Sequence, residues 1–225
     1  MNPRLVKQIL YGTGYLVFFG LIVFGIYYIW FKPAPTCFDN KKNQGETGVD
    51  CGGPCLSCEI RQLKPLEASW IKYFPSEGRL SIAAEIKNPN LDYGANGFSY
   101  LIDVMDKEGG LIKNISGQSV SYAGEIKYLV EITEVDYQKV GEARINLSNF
   151  NWQSKQNFSA PDVQLREIKT QAANADNTGI SVNGFLANQN AFGLSKARLV
   201  AFLINQNGNE LAASKTELEN IPAFQ

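Results

Sequence analysis

The sequence predicts a mainly β protein with a single N-terminal transmembrane helix, a short disulfide-rich segment and two tandem β-sandwich domains, the second incomplete. Three observations predict this: residues 8–31 carry no charge, all four cysteines lie within 22 residues, and the remaining chain alternates apolar with polar residues and repeats after about 100 positions. The predicted segments are a cytoplasmic N-terminus (1–7), a transmembrane helix (8–31), a cysteine-rich stalk (32–64), a first sandwich (65–152), a linker (153–162) and a second sandwich (163–225).

Residues 8–31 form the predicted membrane span. Twenty-four helical residues cover ~36 Å, slightly more than the ~30 Å hydrocarbon core of a bilayer. Aromatic rings suited to the two interfaces lie near its ends: Tyr11, Tyr15, Tyr27, Tyr28 and Trp30. A cleaved signal peptide is the alternative, but its apolar region usually has only 7–15 residues. We therefore expect a retained anchor whose partner is the lipid bilayer.

The charges that flank this span predict its orientation. Arg4 and Lys7 precede it together with the terminal amine, whereas only Lys32 follows it closely. Because positive charges favour the cytoplasmic side, we expect a single-pass protein of the cytoplasmic membrane with residues 37–225 outside the cytoplasm.

The composition excludes several classes of function. The net charge is −1 and the pI about 5.6, so the chain has no excess of cations with which to neutralise phosphates, and nucleic-acid binding is disfavoured. The sequence contains no histidine, the commonest general base and metal ligand. We therefore predict no enzyme activity, no catalytic residue and no cofactor.

The four cysteines are Cys37, Cys51, Cys55 and Cys58. Two disulfides would suit an oxidising compartment, whereas a zinc site would prefer paired short spacings on both sides, and only one CxxC occurs here. We predict two intramolecular disulfides, with zinc and free thiols as alternatives. Four cysteines allow three pairings, between which the sequence does not choose.

Three acidic residues of this segment are candidate ligands. Asp39, Glu46 and Asp50 offer oxygens of the kind that calcium binds. Short acidic and amide side chains near glycines are also typical of tight turns. We favour turn formation and predict no bound metal, with calcium as the weaker interpretation.

The run Asn43-Gln44-Gly45-Glu46-Thr47-Gly48-Val49-Asp50-Cys51-Gly52-Gly53-Pro54-Cys55 closely resembles a short cysteine motif of bacterial envelope and surface proteins. The resemblance covers about two dozen residues. It implies a bacterial, extracytoplasmic setting.

The rest of the chain contains an internal repeat. Residues 80–90 align with residues 180–190, and the alignment continues from Asp106–Gly109 to Asn205–Gly208. In the first copy Leu80, Ile82 and Ala84 alternate with polar or small residues, which predicts strands with one buried and one solvated face.

The second copy contains no counterpart of two strands predicted around 126–133 and 140–151. Two interpretations explain this. The sequence is a fragment of a longer protein that continues beyond Gln225, which we favour, or a partner strand completes the sheet edge.

In the first copy, a strand, Asn88-Pro89-Asn90 and an aromatic strand that leads to a turn at Gly109 together resemble the FxLYD and water-stress (late-embryogenesis-abundant) families of small β-sandwich domains. In the second copy, Gly184-Phe185-Leu186-Ala187-Asn188 is more similar to FxLYD. The likeness to immunoglobulin domains concerns architecture alone, because the paired cysteines and central tryptophan are absent. The resemblance implies binding or spacer modules without a known catalytic centre.

Two functions follow from these patterns. The first is a membrane-anchored protein with a structural or protein-interaction role in the cell envelope, whose sandwiches bind an envelope protein or a surface ligand. The second is a thiol-redox or zinc-dependent activity centred on the cysteine-rich segment.

Overall fold

The computed structural model describes residues 3–31, 35–76, 78–173 and 179–224. Lys32 and Gln225 lie outside these residues. The predicted orientation partly depends on Lys32. The chain divides into two compact units, residues 1–62 and residues 63–225. The described strands all belong to the second unit, and the protein is mainly β.

The first helix, α1, runs from Pro3 to Ile26 and continues as a π-helical turn over Tyr27–Phe31. It begins five residues before the predicted span, since proline suits the first turn of a helix and the following Arg, Leu, Val and Lys residues continue it. Within the described residues, Pro3–Trp30 is the one helix long and apolar enough to cross a membrane. A membrane anchor and a signal sequence both have these properties.

The first repeat is a two-layer β-sandwich. Its strands are β1 (Glu67–Ser76), β2 (Arg79–Lys87), β3 (Tyr93–Asp106), β4 (Leu111–Ser121), β5 (Ile126–Thr133), β6 (Val140–Ser148) and β7 (Trp152–Ser154). One sheet has the antiparallel order β1-β2-β5, and the other has the order β4-β3-β6, with β7 also paired to β3. We call the surface of each sheet that faces the other sheet its inner face.

The core lies between these inner faces. β2 and β3 supply most of it, through the alternate residues that the sequence pattern marks as apolar. The side chains that these two strands bury in this core are Leu80, Ile82, Ala84, Ile86, Ala95, Phe98, Tyr100, Ile102 and Val104. Because successive strand residues point to opposite faces, this alternation places one continuous apolar row on each sheet.

Residues 153–158 of the predicted linker belong to this sandwich. β7 covers Trp152–Ser154, and Trp152 packs against the core. Further along, Phe158 stacks on Tyr122 with a centroid distance of 4.7 Å. Burial of these rings explains why a segment that is polar in composition is nevertheless ordered against the first repeat.

The second repeat contains two hairpins. Its strands are β8 (Val163–Ala172), β9 (Ile180–Asn188), β10 (Leu194–Ile204) and β11 (Glu210–Ile221). β8 pairs with β9, and β10 pairs with β11, each pair forming an antiparallel two-stranded sheet. In order and spacing these strands correspond to β1–β4 of the first repeat.

A buried asparagine occupies the same place in both repeats. Asn88 Nδ2 donates to the carbonyl oxygens of Tyr93 and Tyr122, both at 2.8 Å. Asn188 Nδ2 donates in the same way to Phe192 at 3.0 Å and Pro222 at 2.8 Å. In each case the asparagine lies at the end of a strand of one sheet. The two carbonyl groups that it binds lie at the two ends of the hairpin of the other sheet.

The turn between the third and fourth strands is also repeated. Asp106 Oδ1 accepts hydrogen bonds from the backbone N–H groups of Glu108 and Gly110, at 2.8 and 2.7 Å. Asn205 Oδ1 accepts the equivalent pair from Asn207 and Asn209, both at 2.9 Å. The repeat read from the sequence is therefore a structural repeat.

The outer face of the β1-β2-β5 sheet is covered as well. The β10–β11 hairpin packs on it, and the contact is an apolar cluster of residues from both repeats: Trp70, Phe74, Ala83, Val130, Val200, Phe202 and Ala213. Phe202 lies edge-on to Trp70 and Tyr128, with centroid distances of 6.2 and 5.1 Å. The expectation of a solvated outer face therefore fails at Ala83, which is fully buried.

Polar contacts surround this apolar cluster. Ser81 Oγ donates to the carbonyl oxygen of Ala213 at 2.7 Å, and Lys72 Nζ lies 2.5 Å from Glu210 Oε2. Glu131 accepts hydrogen bonds from Lys215 and from the hydroxyl of Tyr100, both at 2.6 Å. The two repeats are thus joined by packing, hydrogen bonds and ion pairs together.

The first prediction concerns the buried asparagine. Asn88→Ala should lower the free energy of unfolding by about 2–4 kcal/mol, because it removes four hydrogen bonds, the two that Nδ2 donates to part-buried carbonyl groups and the two that Oδ1 accepts from Asn90. Chemical denaturation measures the change. Asn114→Ala, on the exposed part of β4, is the matched control and should change stability by less than about 0.5 kcal/mol. Equal effects of the two substitutions would contradict this role.

The second prediction concerns the contact between the repeats. Phe202→Ala should speed amide exchange in β10 and β11 about tenfold or more, because losing a half-buried ring costs at least about 1.4 kcal/mol. The core of the first repeat should stay protected from exchange. Phe185→Ala is the control, because Phe185 is 66% exposed. Unchanged exchange in β10 and β11 would show that other contacts hold the hairpin.

The third prediction concerns alkaline pH. Burial, together with the hydrogen bond to Glu131, raises the pKa of Tyr100 to about 12. Because the folded state favours the neutral phenol, the stabilisation is fully present below about pH 10 and is lost as the pH rises through about 12. The stability difference between wild type and Tyr100→Phe should shrink over this range, by at most about 2.7 kcal/mol. A constant difference across the range would refute the assignment.

Candidate functional site

Residues 35–62 form the disulfide segment, which follows the apolar helix in the first unit. Cys37 is bonded to Cys55, and Cys51 is bonded to Cys58. The two bonds interleave along the chain, since Cys51 lies between Cys37 and Cys55 whereas Cys58 follows them. The predicted pair of intramolecular disulfides is confirmed, and the structure supplies the pairing that the sequence left open.

Glycines determine the local path of the chain around Cys51. Gly52 and Gly53 have φ angles of +78° and +60°, which side chains rarely adopt. A Cβ atom on Gly52 would lie 1.9 Å from Thr47 Oγ1, and one on Gly53 would lie 2.7 Å from the carbonyl oxygen of Gly45. Glycine is therefore required at positions 52 and 53 by both conformation and space.

Two buried carboxylates replace an apolar core in this segment. Glu46 Oε2 accepts hydrogen bonds from the backbone N–H groups of Asn43 and Asp50, at 3.2 and 3.1 Å. Asp50 Oδ1 accepts from Asp39 and Asn40, both at 3.0 Å. Charged acceptors form stronger hydrogen bonds than neutral ones, so these two side chains fix loops that have few apolar contacts.

The short helix α2 (Cys58–Arg61) closes the segment. Ser57 caps it by accepting a hydrogen bond from the backbone of Ile60 at 3.3 Å. From its last residue, the Arg61 guanidinium donates to the carbonyl oxygens of Asp50 and Val49, at 2.6 and 3.2 Å. No local pattern in the sequence indicates this role of Arg61, because its position relative to Asp50 depends on the disulfide pairing.

The three candidate calcium ligands act as hydrogen-bond acceptors in turns. Asp39 Oδ2 accepts from the side chain of Asn43 at 2.8 Å, and this bond lowers the pKa of Asp39 below its ordinary value. Asp39, Glu46 and Asp50 all accept backbone donors, as the turn interpretation expects. The weaker calcium interpretation stays a prediction.

A different set of three potential ligand atoms comes together in the described part of the chain. The sulfur atoms of Cys37 and Cys55 and a carboxylate oxygen of Glu46 lie within 4.8 Å of one another. Glu46 Oε1 is 3.2 Å from Cys55 Sγ. The metal ligand is a thiolate, and a disulfide sulfur lacks its negative charge, so this group would become a set of metal ligands only after reduction of the Cys37–Cys55 bond.

A second candidate site lies in the second unit, on the β8–β9 hairpin. Large apolar side chains of these strands are exposed, among them Leu165 (52%), Val182 (49%) and Phe185 (66%). They belong to neither of the two buried apolar clusters of the described residues. Leu165 and Val182 lie on one face of the hairpin and Phe185 lies on the other, so each face exposes apolar surface of the kind that binding sites use.

Comparison with known proteins gives no relative. No protein-family model matches the chain, and no curated protein matches it significantly.

The fourth prediction tests the carboxylate network of the disulfide segment. Asp50→Asn should reduce the yield of the Cys37–Cys55 and Cys51–Cys58 pairs after reduction and reoxidation, because charged hydrogen bonds worth about 1.5–3 kcal/mol each are weakened. Peptide mapping of the unreduced protein measures the yield of each pair. The same substitution at the exposed Asp92 is the control and should leave the pairing unchanged. Equal yields from both variants would show that the network does not direct pairing.

Proposed function

We propose that this chain is a membrane-anchored, extracytoplasmic protein of the bacterial cell envelope with a structural or protein-interaction role and no catalytic activity. The observation that carries the proposal is the order of two features along the chain. A helix that contains the uncharged apolar run is followed along the chain by a segment in which all four cysteines are disulfide-bonded.

The disulfides support the extracytoplasmic location. Such bonds persist in oxidising compartments and are rare in the bacterial cytoplasm. The disulfide segment has buried carboxylates in place of an apolar core, so its fold depends on these bonds. Arg4 and Lys7, before the apolar run, favour a cytoplasmic N-terminus.

The β repeats support an interaction role. The first repeat has a closed core and gives a rigid support, whereas the β8–β9 hairpin exposes apolar side chains. A stable domain that carries exposed apolar side chains is suited to a structural or binding role.

A second candidate function is a thiol-redox or zinc-dependent activity of the disulfide segment. The grouping of Cys37, Glu46 and Cys55 within 4.8 Å favours it. Two thiolates and a carboxylate are ligands that zinc accepts. This candidate requires a dithiol reductant that opens the Cys37–Cys55 bond.

The fifth prediction tests the membrane topology. With one epitope tag at each end of the chain, protease added to intact spheroplasts should remove the C-terminal tag and leave the N-terminal tag on a short membrane-bound fragment. A cytoplasmic marker protein serves as the control for intact membranes. Protection of the C-terminal tag would overturn the orientation, and release of a soluble fragment cleaved after Ala34 would identify a signal sequence instead.

A thiol titration separates the two functions. The envelope role expects no alkylatable thiol and a mass four hydrogens below that of the reduced chain. Alkylatable thiols, or zinc bound in stoichiometric amount, would favour the second candidate.

A further inference from the structure

We propose that the disulfide segment lies on the surface of the bilayer that holds α1, with the exposed side chains of Phe38, Val49 and Leu56 in contact with lipid. We call these three side chains the apolar patch. The inference rests on the membrane anchor proposed above and adds a second, peripheral contact with the same membrane.

The disulfide segment has the reverse of the usual distribution of polar and apolar side chains. Its buried charged residues are Glu46 and Asp50, which are 5% and 3% exposed. Phe38, Leu56 and Val49 are 86%, 63% and 53% exposed. A single exposed apolar residue needs no explanation, but three of the segment's four large apolar side chains are exposed. Such an exterior is suited to contact with an apolar phase.

The first disulfide brings two members of the apolar patch together. Cys37 is bonded to Cys55, and their Cα atoms are 5.6 Å apart. Phe38 follows Cys37, and Leu56 follows Cys55. Because consecutive Cα atoms are ~3.8 Å apart, those of Phe38 and Leu56 lie within about 13 Å of each other.

The carboxylate network connects the third member to the same part of the segment. The backbone N–H of Asp39, the residue after Phe38, donates to Asp50 Oδ1 at 3.0 Å. Asp50 in turn follows Val49. The chain at Phe38 is therefore held near the chain at Leu56 by a disulfide and near the chain at Val49 by a hydrogen bond.

The charges at the surface of the segment suit lipid head groups. Its exposed charged residues are Lys41, Lys42, Arg61 and Glu59, and Asp39 is partly exposed. Cations are in excess at this surface because the other two carboxylates are buried. The phosphates of lipid head groups attract lysine and arginine beside an apolar contact. The segment therefore presents both parts of a membrane-surface contact.

The anchored helix keeps the apolar patch close to the bilayer. Phe31 is the last residue of the helical run, and Phe38 follows it closely in the chain. At the full extension of the chain the two Cα atoms are no more than ~25 Å apart. Tethering at this distance gives the patch a high effective concentration at the membrane, so an affinity too weak to hold a free segment is sufficient. A protein partner would have to displace lipid from the patch.

The experiment uses the full chain in vesicles of equal parts phosphatidylcholine and phosphatidylglycerol. A small fraction of the phosphatidylcholine carries a diazirine at the glycerol end of one acyl chain. On illumination the diazirine loses nitrogen, and the resulting carbene inserts into C–H bonds close to it. Mass spectrometry of peptides locates the label. Both orientations of the chain in the vesicles give the same contact, so the result does not depend on the topology that the protease experiment tests.

We expect label at the ends of the apolar helix and at Phe38 and Leu56. Leu91, in the second unit, is the matched control, because it is 73% exposed. Phe38 and Leu56 should each carry at least about fivefold more label than Leu91, since exposure alone does not bring a side chain to the lipid.

Two variants separate docking of the segment from labelling of one side chain. Phe38→Ser should lower the label at Leu56 at least about threefold, although Leu56 itself is unchanged, because the segment loses one of its contacts with the membrane. Leu91→Ser removes an equally apolar side chain elsewhere and should leave the label at Leu56 unchanged. Peptide mapping of the two disulfides verifies the fold of the segment in each variant.

Four results would overturn the proposal. Label on the helix without label on the segment would refute the surface contact and leave the anchor intact, and amine cross-linking of two chains through Lys41 or Lys42 would then assign the apolar patch to a second copy. Label at Leu91 equal to that at Phe38 would show that labelling reports exposure alone. Label at Leu56 that Phe38→Ser leaves unchanged would exclude docking of the segment as a unit. Absence of label from the helix as well would refute the anchor and the function proposed above.

Discussion

The hydrogen bonds of one buried asparagine are the constraint on which both repeats depend. Asn88 and Asn188 each end a strand of one sheet and donate to two carbonyl groups of the other. A buried amide is costly unless its polar atoms are satisfied, so the two sheets must approach in one arrangement to satisfy them. The apolar side chains stabilise the sandwich, whereas the asparagine determines which strand ends meet.

The β1-β2-β5 sheet is covered on both of its faces. β2 places Leu80 and Ile82 in the core of the first repeat and Ser81 and Ala83 against the β10–β11 hairpin. The first repeat is thereby both a closed sandwich and the support for half of the second. The β8–β9 hairpin has no such support, and its apolar side chains stay exposed.

The disulfide segment is stabilised by different interactions from those of the β repeats. It is too short to bury an apolar core, so two covalent bonds and the buried carboxylates of Glu46 and Asp50 order its loops. Each carboxylate accepts two or more backbone N–H groups, and Arg61 donates to the carbonyl oxygens beside Asp50. The acidic residues whose oxygens are candidate calcium ligands have a sufficient structural reason in these turns.

The sequence by itself determined the apolar helix, four strands of the first repeat (β2, β3, β5 and β6), the existence of the second repeat and the bonding of all four cysteines, because periodicity, spacing and composition are local properties. Only the tertiary structure decided the disulfide pairing, the role of Arg61 and the burial of Ala83. Ala83 looks solvent-facing in the alternating pattern of its strand, yet it is buried together with Ala213, 130 positions later. Contacts between residues so distant in the chain depend on how complete sheets pack, and no local pattern records them.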